Sequence, residues 1–217
     1  MASIDRTAYP RLKQKLTEDE LKQLYQTSDE ELNFVHHYAR GDRQQLTLLV
    51  LLKTHRHLGY APSPKDVPKQ IREYLCRRLG FTGEISVLKE SPANKPSFHR
   101  YRQSVRTFLD VRSWSDGGVE VAKQAVGEAA YTMSDPADLI NVAIETLIQN
   151  RYELPAFSAL DRLAGHIRQQ IHERLYRQIT SGLSDEQCYT LDELLEVRED
   201  DRVTGFNRIK QMPRTAT

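Results

Sequence analysis

Seven histidines are the first residues in this chain whose type invites chemistry, and their spacing argues against a metal. His55 and His57 stand two apart on a helical pattern, so their rings point away from one another. His36 and His37 are adjacent, His166 and His172 are six apart, and no cysteine or acid stands near them at zinc-like spacing. Ordinary helix-surface histidines account for them. Nucleophile motifs built on Ser, Cys or Lys are missing, as is a glycine-rich phosphate loop. The carboxylates gather at helix caps and solvated faces. A polynucleotidyl transferase needs them on a rigid sheet, converging on two metal ions. The chain as it stands is therefore not expected to be an enzyme, and neither a metal nor another cofactor is expected.

Basic helices offer more. Between residues 32 and 115 there are fifteen lysines and arginines against six acids, while the chain as a whole carries a net charge of only +1. The acids collect elsewhere, in residues 17–31 and 184–201. Such segregation makes a local positive field whose natural partner is a polyanion, although a solvated helix surface explains a charge surplus equally well. Arg43, Lys53, Arg56, Lys65, Lys69, Arg72, Arg77 and Arg78 are candidates for phosphate contacts. On a helix opened by Ser97, the residues His99, Arg102 and Arg106 are placed opposite an apolar stripe, flanked by Arg100 and Gln103. An amphipathic helix with one apolar and one arginine-rich face suits a major-groove reader of double-stranded DNA. A later long helix shows Asp161, Arg162, Gly165, His166, Arg168 and Gln169 across its outer turns. Ser158 is placed as its cap, leaving backbone N–H groups for a phosphate. For each helix, a solvated outer face with ion pairs is the plain alternative.

The elements that must position these residues are helical almost throughout. Capping boxes Thr17-x-x-Glu20 and Ser28-x-x-Glu31 open two helices, the first with Leu16 and Leu21 as a hydrophobic staple. A third runs from about Asp42 to Leu58 and stops at Gly59; its centre, Leu46 to Leu52, is apolar on every side and belongs in the middle of a bundle. A fourth carries Val67, Ile71, Tyr74, Leu75 and Leu79 on one stripe. The fifth turns Phe98, Tyr101, Val105, Phe108 and Leu109 inward. Ser113 to Gly118 is the expected boundary. Beyond it come a sixth helix, a seventh opened by Asp135-Pro136, and the long eighth, expected to bury Leu160, Leu163, Ala164, Ile167, Ile171, Leu175 and Ile179. Ser184-x-x-Gln187 opens an acidic last helix. Residues 84–88 are the one weak strand, and residues 198–217 read as a linker. The fold expected is all-α: two tandem helix-turn-helix-like DNA-binding modules, 1–114 and 115–197, followed by the linker 198–217.

The order of motifs resembles the N-terminal region of transposases of the Tn-three (TnA) family. The resemblance rests on Arg40-Gly41-Asp42-Arg43 through Gly59, on Val67 to Gly80, and on the arginine-rich Phe98 to Trp114. Its most specific part is Leu154-Pro155-Ala156-Phe157-Ser158-Ala159-Leu160-Asp161-Arg162-Leu163. That part continues into His166-Ile167-Arg168 and Arg174-Leu175-Tyr176-Arg177, then Leu183-Ser184-Asp185-Glu186-Gln187 and Leu191-Asp192-Glu193-Leu194-Leu195. Ala159 departs from the hydroxyl residue usual there, and residues 80–96 match poorly. The resemblance implies recognition of the transposon's terminal inverted repeats, and a longer parent whose RNase-H-like domain holds an acidic triad and magnesium. It leaves any self-association to that absent part. Rival readings are an all-α protein-interaction scaffold and a stand-alone helix-turn-helix transcriptional regulator.

Nothing approaches the ~18 apolar residues of a membrane span, and residues 1–6 lack the apolar region of a signal peptide. Cys76 and Cys188 cannot form a disulfide framework and are expected to be reduced and buried. A bacterial cytoplasmic location is the expectation, at the nucleoid when DNA is bound.

Overall fold

Thr17 and Ser28 each begin a helix as their sequences predict. In the computed structural model, which describes residues 2–82, 86–88, 91, 94–197 and 203–210, both form complete capping boxes. The hydroxyl accepts from the N–H three residues on, and the glutamate at that position accepts from the cap's own N–H. They open α1 (Glu18–Tyr25) and α2 (Asp29–Tyr38). The chain continues through α3 (Asp42–Leu58), α4 (Lys69–Arg78), α5 (Lys95–Leu109), α6 (Val119–Ala129), α7 (Pro136–Gln149), α8 (Phe157–Thr180), α9 (Asp185–Glu193) and α10 (Gly205–Lys210). Among the described residues there is no strand beyond two isolated bridges, so the fold is all-α. The weak strand expected at residues 84–88 falls partly outside the described residues.

The centre of α3 is the axis of the first core. Leu46, Leu48, Leu49, Val50, Leu51 and Leu52 are completely shielded from solvent, as a helix apolar on every side must be. Each such side chain stabilises the fold by about 1.5–3 kcal/mol relative to exposure. Around α3 pack α2, α4 and α5, with α1 against α4. Gly59 ends α3 with φ 75°, a left-handed conformation that a Cβ would resist. Members of this core run from Leu12 to Leu109. Beyond it, α6 and α7 pack on each other and bury Ala122, Val126, Leu139, Ile140, Ala143 and Leu147.

The boundary expected at residues 113–118 is a kink leading directly into α6, where Asp116 and Gly117 leave helical geometry and Gly117 takes φ 93°. Gly118 there lies so close to Trp114 and Tyr152 that an added Cβ would sit 3.2 Å from both. Hydrogen bonds tie residues 151–154, at the end of α7 and beyond it, to residues that precede this kink. Arg112 N–H donates to Arg151 O at 2.8 Å and Glu153 N–H to Arg112 O at 2.9 Å; Leu154 N–H donates to Gly59 O at 2.8 Å. By compactness the chain forms two units, which meet between Arg168 and Gln169.

The N-terminal segment adds a strap within the first unit. Ala2 N–H donates to Asp161 Oδ1 at 2.9 Å, Arg6 pairs with Asp135, and Ala8 N–H donates to Asn141 Oδ1 at 2.7 Å. Tyr9 Oη donates to Pro155 O at 2.8 Å, its ring against Tyr60 and Phe157.

Several local expectations need correction. Ser97 does not cap α5: the helix begins at Lys95, with Asn94 at the cap position and Pro96 in the first turn, where a missing N–H costs nothing. Nor is Ser158 a cap, because α8 begins one residue earlier, at Phe157. Only the proximal part of α8 has a buried face, made of Leu160, Asp161, Ala164 and Ile167. Leu163, Ile171 and Leu175 are half-buried, and Ile179 is 64% exposed. Cys76 is buried and Cys188 half-buried, and neither is in a disulfide among the described residues. The second unit holds the distal part of α8, α9 with its own capping box, and α10. That last helix lies inside the expected linker, of which residues 198–202 and 211–217 fall outside the described residues.

Candidate nucleic-acid interface

On α5 the apolar residues Phe98, Tyr101 and Val105 are buried, and that anchoring decides where the rest of the helix points. At about 3.6 residues per turn, the positions opposite this stripe are Arg100, Gln103 and Thr107, with His99 beside them. His99, Arg100 and Gln103 are exposed. Arg102 and Arg106 sit on the flank instead, and both are half-buried. The outer face is therefore His99, Arg100 and Gln103, which corrects the placement expected for Arg102 and Arg106. The guanidinium of Arg100 lies 5.4 Å from the Tyr101 ring centroid and that of Arg102 5.8 Å from Phe98. Each guanidinium thus lies within cation–π reach of an aromatic ring on its own helix.

Arg106 has a second engagement. Its Nη1 lies 3.3 Å from both carboxylate oxygens of Glu153, and its side chain is only 21% exposed. Ser113 Oγ donates to the same carboxylate at 2.9 Å. His55 Nε2, buried, lies 3.8 Å from it, too far for a hydrogen bond. Burial pushes the Glu153 carboxyl upward, but His55, Arg106 and Ser113 outweigh that and hold it at about 2, against an ordinary 4.5. A carboxyl depressed in the folded state contributes stability that is whole above its unfolded value and lost as pH falls through the folded one. Urea unfolding between pH 5 and 2, compared with Glu153→Gln, is expected to show the unaltered chain losing more stability across that window. Parallel curves would remove Glu153 from the acid-sensitive groups.

Lys53 does not reach the surface. Its side chain is 4% exposed, and its ammonium lies 3.1 Å from the carboxylate of Glu31, itself 1% exposed. It also donates to Gln26 O. Arg56, at the rim, bonds the same carboxylate at 3.0 Å. Two cations so close to one buried acid reflect the penalty of burying an ion without partners. Lys53 is thereby withdrawn from the phosphate-binding set.

The remaining basic positions stay at or near the surface, spread over α3, α4 and the turn between them. Arg43 Nε donates to Ser86 O, and Lys65 is exposed on the short turn Pro64–Asp66. Lys69 pairs with Glu73, and Arg72, half-buried, donates to Val67 O. Arg77 and Arg78 come together in a cleft of about 450 Å³ between α1 and α4, lined also by Glu18, Lys22, Gln26 and Tyr74. There Arg77 lies 3.6 Å from Glu18, and Arg78 donates to Thr27 O. Such exposed pairs contribute little to stability.

On α8, Ser158, Arg162 and His166 are exposed and Arg168 is half-buried. Arg162 turns back to Ser158 O at 3.1 Å, not to Asp161. That aspartate was expected on the outer turns but is buried, held by the N-terminal strap. Arg168 Nε is buried without a hydrogen bond among the described residues. No group of three or more His, Cys, Asp or Glu able to hold a metal occurs among the described residues. No described helix is long and apolar enough to cross a membrane.

Sequence reasoning missed Arg112 and Arg151. They stand where α3, α5 and α7 end around a cleft of about 250 Å³ that Arg151 and Tyr152 help line. Arg112 lies 4.0 Å over the Tyr152 ring and donates to Asn150 O at 3.0 Å. Arg151 pairs with Asp110 at 2.8 Å. Cations at converging helix C-termini complement the dipoles there, which gives these two arginines a structural reason.

Residues 1–167 match the family described as "Domain of unknown function (DUF4158)". The chain is 25% identical over 198 residues to the transposase for transposon Tn501 of Pseudomonas aeruginosa, covering 91% of this chain and 20% of that protein. It is 21% identical over 157 residues to the transposase for transposon Tn1546 of Enterococcus faecium, covering 72% and 16%. With the transposase for transposon gamma-delta of Escherichia coli strain K12 it shares 20% identity over 201 residues, covering 91% and 20%. The chain spans about a fifth of the length of these relatives. Matched over most of its length by one family and aligned with transposases from three species, the chain belongs to the DUF4158 family and corresponds to the N-terminal region of Tn-three family transposases.

Proposed function

We propose that this chain recognises the terminal inverted repeats of a transposon, as the DNA-binding part of a replicative transposase whose strand-transfer chemistry lies in another portion of the parent. The observation that carries this reading is the outer face of α5. His99, Arg100 and Gln103 project from a helix fixed by three buried residues on its opposite side. Arginine can take guanine edges bidentately and glutamine can do the same for adenine. On α3, α4 and the turn between them Arg43, Arg56, Lys65, Lys69, Arg72, Arg77 and Arg78, with Arg102 on the flank of α5, supply phosphate contacts, which make up half or more of a protein–DNA interface. On α8, Arg162 and His166 form a second reading surface, with Ser158 and Arg168 beside it. Two reading helices cover a longer site than one helix can. The modules 1–114 and 115–197 thus contribute one reader each, although hydrogen bonds join them near Arg112 and Leu154. The protein acts on bacterial DNA in the cytoplasm, and self-association belongs to the rest of the parent.

Salt tests the electrostatic part. Each neutralised phosphate contributes a slope of about −0.9 to log affinity against log salt, so several contacts should give a slope steeper than roughly −4. A flat dependence between low and physiological salt contradicts phosphate-dominated binding. Absence of duplex binding even at low salt would favour a protein-interaction scaffold.

A further inference from the structure

Asp161 is an acid in an unusual place. It sits in the second turn of α8 beside Arg162, yet it is only 8% exposed. A buried carboxylate needs a partner, and the partner comes from the far end of the sequence: Ala2 N–H, 159 residues away, donates to its Oδ1 at 2.9 Å. The rest of the N-terminal segment takes the same course. Arg6 pairs with Asp135, the N-cap of α7. Ala8 N–H donates to Asn141 Oδ1 on α7. Tyr9, itself buried, donates to Pro155 O two residues before α8 begins, with its ring 5.7 Å from Phe157 at the helix start. Tyr60 then fixes the far end of the segment by donating to Pro10 O at 3.1 Å.

We infer that residues 2–10 are a strap that sets the first turns of α8 in register for DNA, with Asp161 and Tyr9 as positioning residues for the surface formed by Arg162 and His166. This rests on the proposed function. The physical case is the direction of the contacts. The bonds from Ala2, Arg6, Ala8 and Tyr9 end on α7 and its cap, on the 154–156 segment leading into α8, or on α8 itself, and one reaches the residue adjacent to Arg162. A base-reading side chain must be held within a fraction of an ångström of its productive geometry. Proximal α8 buries four residues in its twelve positions before Gln169, too thin a face to fix its rotation and slide alone. Two buried polar anchors, the Asp161 carboxylate and the Pro155 carbonyl, supply the direction that apolar contact lacks. A carboxylate buried this way tolerates no slippage of its donor, since either group left unpaired is costly.

The test compares Asp161→Ala, Asp161→Asn and Tyr9→Phe with the unaltered chain, using duplex DNA selected from a random pool and a scrambled duplex of the same composition. Amide hydrogen exchange over residues 157–168 is read on the same proteins. Asp161→Ala and Tyr9→Phe should speed exchange there and lower the native-to-scrambled affinity ratio roughly tenfold, the worth of one misplaced base contact. Scrambled-duplex affinity should hardly change, because no phosphate contact has been removed. Asp161→Asn keeps an acceptor for Ala2 N–H and should restore most of the ratio. Arg6→Ala, a milder change at an exposed pair, covers the case in which Asp161→Ala fails to fold, and should shift exchange and ratio in the same direction. The inference is overturned if the variants lower both affinities in parallel, or if exchange and ratio stay unchanged. Should the unaltered chain bind no duplex, the proposed function fails first; faster exchange would then still show the strap, without its role in DNA reading.

Discussion

Glu31→Ala is expected to lower the stability of the chain by about 3–5 kcal/mol, the cost of leaving a buried charge without its partner. The shift should appear in the denaturant midpoint with little change of slope. Glu31 does three things at once. Its Oε2 accepts from Ser28 N–H at 2.9 Å, completing the cap of α2. Its carboxylate neutralises Lys53, which is shielded in the middle of the bundle. It also holds Arg56 at the rim, 3.0 Å away. Lys53→Met should cost distinctly less. The methionine refills the volume of the aliphatic stem, and Glu31 keeps Arg56 and the Ser28 N–H. Equal losses from the two substitutions would mean that Arg56 does not compensate the carboxylate.

Arg100→Ala is expected to weaken binding to the native repeat by about 1–3 kcal/mol and to relax discrimination at one base, with folding nearly unaffected. An exposed arginine contributes little to stability. Arg106→Ala should behave differently, because it strips Glu153 of its guanidinium and leaves that carboxylate to Ser113 and the distant His55. The melting temperature should fall, while loss of DNA affinity, if seen, should extend to native and scrambled duplexes alike. If Arg106→Ala instead leaves stability intact and changes base preference, the reading surface of α5 has been assigned to the wrong side of the helix.

Helix caps and the apolar period made most of the fold legible in the sequence. Thr17, Ser28 and Ser184 stood three residues before an acid or amide, and each became a capping box. The unbroken apolar run in α3 became the centre of the core. Those signals are local, and local chemistry fixed them. The features that were not legible depend on contacts distant in sequence. Nothing near Lys53 shows that Glu31 lies against it, and nothing near Asp161 shows that Ala2 does. Likewise nothing near Glu153 shows that Arg106 and Ser113 reach it from forty residues or more away. The side of α5 was within reach, since a count of about 3.6 residues per turn from Phe98, Tyr101 and Val105 already sets Arg102 and Arg106 on the flank. The start of α5 escaped because Ser97 resembles a cap, while Pro96 just before it fits equally well inside a first turn.

Sequence-specific duplex binding can be read directly from the chain's own choice among duplexes. The purified chain would select from a random-sequence duplex pool, and the enriched duplex and a scrambled version would be titrated at physiological salt. The enriched sequence is expected to match the terminal repeats of the mobile element carrying its gene. It should bind on the order of 10³ times more tightly than the scrambled duplex, the lower end of the range for specific recognition. Equal affinity for the two duplexes, or no enrichment at all, would contradict sequence-specific binding.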